Sequence, residues 1–123
     1  MNEVKESDWK LLRQLVPTAL DRLSRRILDR IGQTSGQKSK TFHERFLEAY
    51  LVMENGNDEM GAAFNDLKRS NALMRLAIMK AQGLVTEDEL SRFSEETRRQ
   101  VAVIEVAMTS DIGFSQRGKW GNK

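Results

Sequence analysis

Apolar residues recur along the chain at the three- and four-residue spacing that lines one side of an α-helix. The first stripe is Trp9, Leu12, Val16, Leu20, Leu23, Ile27 and Ile31. Ser7 is placed to cap it, and Asp8 falls in the first turn, where the helix dipole favours an acid. Pro17 interrupts the stripe without shifting its phase. Proline removes one backbone donor and disfavours helix in the residue before it, so the pattern predicts one helix kinked at Pro17 rather than two. Gly32 ends it, and the Gly/Ser/Gln/Lys stretch to Lys40 reads as a flexible loop.

Thr41 and Glu44 form a capping box that opens a second helix. Its main face is Phe42, Phe46, Ala49, Tyr50 and Met53, with Leu47 and Leu51 on a flank. So wide an apolar surface predicts a mostly buried element. Asn55-Gly56 supplies a stop, and Asp58 caps a third helix running from about Glu59 to Gln82. Met60, Phe64, Leu67, Met74 and Ile78 share its main face, which Asn71 interrupts, and Leu73, Leu76 and Met79 make its second half apolar nearly all round. That half belongs at the centre of something, and Gly83 closes it. Thr86 and Glu89 form a second capping box, followed by the stripe Leu90, Phe93, Thr97, Val101, Ile104 and Met108. Ser94-Glu95-Glu96 marks a place where this helix can break and restart. From Asp111 the chain is Gly-rich, basic and aperiodic.

The pattern therefore predicts an all-α domain over residues 1–110, a small bundle of about four helices, followed by a disordered basic tail over 111–123. A length of 123 residues suits one domain with a modest core. The chain has one proline and no cysteine, which removes disulfides, thiolate catalysis and zinc–thiolate sites. No run approaches the roughly 18 apolar residues of a membrane span, and the N-terminus lacks the apolar core of a signal peptide. A cytoplasmic protein with no membrane partner is the expectation.

Chemistry is sparse. His43 is the single histidine and lies beside Phe42 at the border of an apolar face, where a partly buried packing role is expected. The acids Glu44, Glu48, Glu87, Asp88 and Glu89 sit on polar faces or in first turns, where they stabilise helix starts. No serine lies in a nucleophile motif, and no glycine-rich phosphate loop is present. The sequence thus gives no catalytic, cofactor or metal site, and an enzyme ranks last.

The segments Asp8-Trp9-Lys10-Leu11-Leu12 and Arg75-Leu76…Met79…Gly83-Leu84-Val85-Thr86…Leu90…Phe93-Ser94-Glu95-Glu96-Thr97-Arg98 resemble stretches in small, uncharacterised helical bacterial proteins. They cover well under half of the chain. The resemblance implies a bacterial helical protein and brings no activity with it.

Charge is uneven: residues 1–40 carry nine Lys/Arg against five acids, and residues 84–110 carry three against six. Arg22, Arg26 and Arg30 stack in one column, a candidate contact for phosphates or an acidic partner, or else a solvated face relieved by Asp21 and Asp29. Asn71 either fixes an oligomer register from a buried position or meets a loop carbonyl. The second stripes, Leu73, Leu76 and Met79 with Val103 and Val106, exceed what a thin bundle hides and form the candidate interface. The leading expectation is a non-enzymatic interaction or regulatory protein acting as a homodimer through the third and last helices, with the basic first helix near the acidic 87–96 segment of the other subunit. On that reading Arg22→Ala does little. A nucleic-acid module using residues 10–40 and the tail ranks second, since the net charge is only +2 and no groove-reading motif appears.

Overall fold

A computed structural model describes residues 3–120, with side chains described as far as Thr109. Every regular element among the described residues is helical. The helices are α1 (Glu6–Ser35), α2 (Phe42–Phe64), α3 (Ala72–Ala81), α4 (Glu87–Ser91) and α5 (Glu95–Trp120), with a 3-10 turn over Arg69–Asn71. The expected tail, 111–123, falls on residues whose side chains, and from 121 whose backbone, lie outside the described part.

α1 runs unbroken through Pro17. It starts one residue before Ser7, and no side chain caps it, so Ser7 and Asp8 lie within the first turn. The two capping boxes form as expected. Thr41 Oγ1 accepts from Glu44 N–H (3.1 Å) while Thr41 N–H donates to Glu44 Oε1 (2.9 Å). Thr86 and Glu89 do the same, both at 3.0 Å. Each box satisfies two backbone donors that a helix start leaves open.

Asn55-Gly56 is not a stop. α2 continues through it to Phe64 because Gly56 serves packing instead of termination. A Cβ built on Gly56 would meet Ile27 Cδ1 at 2.6 Å and Cγ1 at 2.7 Å, so the missing side chain is what lets α1 and α2 approach. The real break comes at Asn65–Lys68, and the expected single helix 59–82 is two helices. Asp66 adopts a left-handed conformation (φ 55°), which Asp tolerates better than most residues. Asn71 then closes the turn: its Oδ1 accepts from Lys68 N–H (2.9 Å) and its Nδ2 donates to the Asp66 carbonyl (2.8 Å). The loop-carbonyl role is therefore the one this residue plays.

α3 ends in a Schellman turn. Leu84 N–H donates to Met79 O and Gly83 N–H to Lys80 O, both at 2.9 Å, with Gly83 at φ 75°. The chain breaks again before Glu95, separating α4 from α5 at the place where Ser94-Glu95-Glu96 allowed a restart.

α1 and α2 form a long hairpin, and α3 packs against α1, α2 and α5. The core comprises Leu12, Ala19, Leu23 and Ile27 of α1, Ala63 of α2, Ala72, Leu73, Leu76, Ala77 and Met79 of α3, then Leu84, Leu90, Phe93 and Val101. It occupies one end of the hairpin. On α2, only Gly56 and Ala63 are buried, and nothing between Phe42 and Asn55 is.

Candidate interaction surface

The chemistry of the described residues is used internally. Asp8 of α1, 2% exposed, reaches the first turn of α5. Ser94 N–H donates to its Oδ1 (3.0 Å), and the Ser94 and Thr97 hydroxyls donate to its Oδ2 (2.6 and 2.7 Å). Ser94 Oγ in turn accepts from Thr97 N–H (3.3 Å), the N-cap bond of α5. Burial pushes the Asp8 carboxyl up, but the hydrogen bonds from Ser94 and Thr97, with Lys5 assisting, outweigh it and hold the group below the ordinary carboxylate range. This is a structural clamp between the two ends of the chain. Sequence reasoning placed Asp8 correctly in a first turn and Ser94 at a helix start; nothing in the periodicity pairs residues 86 positions apart.

The arginine column is likewise occupied. Arg22 makes a bidentate pair with Glu89 (2.7 and 2.8 Å) and donates to the Leu84 carbonyl (2.8 Å). Hydrogen bonding from Arg22 outweighs the burial penalty and holds Glu89 at about 2, while Glu89 raises the Arg22 guanidinium. Arg26 donates to the Gln82 carbonyl (2.6 Å), and Arg30 lies 3.5 Å from Glu59 Oε1. The column therefore straps the α3–α4 connection and α2 to α1. The basic helix meets the acidic 87–96 segment as expected, but within one chain.

The candidate interface divides. Leu73, Leu76 and Met79 lie in the chain's own core because α1, α2 and α5 enclose the short α3 from several sides. Only Val103 and Val106 stay open, each 67% exposed. Leu73 and Val103 line one open groove of about 630 Å³ with Glu96, Arg99, Gln100 and Ile104.

Among the described residues, the largest run of exposed apolar side chains is elsewhere. Phe42 (82% exposed), Phe46 (64%), Tyr50 and Met53 recur at i, i+4, i+8 and i+11, and Leu47 and Leu51 widen the stripe. Leu28 of α1 is exposed as well. This face was expected to be buried. α1 covers only one side of α2, and the core lies beyond residue 55, so the width of the stripe is left facing outward. His43, expected to be partly buried, is exposed and stacks on Phe46 with ring centroids 6.4 Å apart. Arg45 covers the Phe42 ring at 4.9 Å while its Nε donates to the Ser35 carbonyl (2.7 Å). The signal for this face was present in the pattern; the count of helices available to cover it was not.

Among the described residues, no group of three or more His, Asp or Glu is arranged to hold a metal ion, and no helix is long and apolar enough to cross a membrane. No family model, curated protein or solved structure matches the chain.

Proposed function

We propose that this chain is a non-enzymatic interaction protein that docks a protein partner on the outer face of α2, residues 42–53. One observation carries the reading: six large apolar side chains line three turns of one helix and all are open. Together they expose roughly 700 Å², more than the largest patch on most monomers, which is about 300–600 Å². A capping box at Thr41 and the packing of Gly56 on Ile27 hold the two ends of this segment, so little ordering cost accompanies docking. A bend at Pro17, where the bond to the Arg13 carbonyl is lost, would set the angle at which the hairpin presents this face. The chain's likeness to small bacterial helical proteins belongs to the same proposal, as does a cytoplasmic setting.

A nucleic-acid role is the weaker alternative. It relies on residues 10–40, where Arg22, Arg26 and Arg30 already hold partners within the chain. The test is crosslinking of the intact protein in cells, comparing wild type with Phe46→Glu and with Val106→Glu as a control surface change. The reading expects crosslinked partners to be lost with Phe46→Glu and retained with Val106→Glu. Partners retained in both variants, or a nucleic acid recovered with steep salt dependence, would reject it.

A further inference from the structure

We infer that the occupant of the α2 face is a second copy of this chain, docked antiparallel so that the two α1–α2 hairpins form a four-helix arrangement. This rests on the reading of residues 42–53 as a docking surface and adds the partner.

Size is the first argument. About 700 Å² of apolar surface approaches the ~800 Å² that each side of a standard interface contributes. Symmetry is the second. The stripe is nearly palindromic about residue 48: Phe42 pairs with Met53, and Phe46 with Tyr50. A two-fold axis there sets each aromatic of one copy against an apolar residue of the other, as a self-complementary interface requires.

Placement of the core is the third argument. Antiparallel docking keeps the two cores, which lie beyond residue 55, at opposite ends.

The experiment is light scattering on the full chain, followed by disulfide trapping, which the absence of cysteine makes clean. Wild type is expected at twice 14.1 kDa at tens of micromolar, with Phe46→Glu and Tyr50→Glu at 14.1 kDa and of unchanged helical content. Phe42→Cys mixed with Met53→Cys should form a mixed dimer on oxidation. Phe42→Cys alone should not, because the two copies of residue 42 lie about 11 residues of helical rise, or ~16 Å, apart. A wild-type monomer at hundreds of micromolar overturns the inference, as does a dimer that persists in both Glu variants, and self-trapping of Phe42→Cys overturns the antiparallel geometry. A monomer that still loses its cellular crosslinks in Phe46→Glu refutes the second copy alone and leaves the docking surface standing.

Discussion

The core end of the molecule and the tip of the α1–α2 hairpin have similarly apolar sequences and opposite fates. At the core end, Leu76 and Met79 on α3 are enclosed from several sides. At the tip, Phe42, Phe46 and Tyr50 on α2 have one neighbouring helix and stay open. The difference lies in how many elements surround each helix, not in the helix's own pattern. A wide apolar stripe reports that a surface needs covering and is silent on whether the same chain covers it.

Truncation sharpens this contrast most. Leu76→Ala, at a site 1% exposed, should cost about 3 kcal/mol in urea unfolding. Phe46→Ala at the tip, measured on the monomer, should cost under about 0.5 kcal/mol. Equal losses at the two sites would break the comparison.

Asp8→Ala should follow Leu76→Ala, at about 2–3 kcal/mol, because it strands the buried Thr97 and half-buried Ser94 hydroxyls and cuts the link between α1 and α5. Asp8→Asn, which keeps an acceptor, should recover part of the loss by the same measurement.

Arg22→Ala should cost about 1–2 kcal/mol at neutral pH, more than an exposed basic column would show. Glu89 is held at about 2 in the folded protein against 4.5 unfolded, so its contribution is full above pH 4.5 and is lost as pH falls from there towards 2. Asp8, also depressed, adds a loss of the same sign at acid pH. The gap between wild type and Arg22→Ala should therefore narrow as pH falls from 4.5 towards 2, leaving the part owed to the Arg22–Leu84 carbonyl bond, which acid titrations of thermal melting would check.

Much of this fold was readable in advance. Both capping boxes, the close of α3 at Gly83 and the break at Ser94 stand where side-chain chemistry puts them. The errors share one cause. Gly56 and Asn65 are both turn formers, and local propensity cannot show that Gly56 faces Ile27 while Asp66 enters a left-handed turn. The stripe through Met60, Phe64, Leu67 and Met74 keeps helical phase across that turn, so periodicity hides it. The α3 part of the candidate interface is buried for a similar reason: α3 is ten residues long and central, so its second stripe faces more of its own chain. The basic first helix was expected beside the acidic segment of another subunit, and Arg22 instead pairs with Glu89 of its own chain; sequence carries no information on whether such a pair closes within one chain or between two.

The central claim is that α2's outer face is dispensable for the fold and is covered by a second copy. The melting temperature measured against protein concentration tests both halves together, since a dimer gains stability by mass action and a monomer does not. Wild type should melt higher as concentration rises from about 1 µM to 1 mM, whereas Phe46→Glu should melt at one temperature throughout, equal to the wild-type low-concentration limit. A flat wild-type curve would contradict self-docking, and a variant that melts well below that limit would show that the face belongs to the fold.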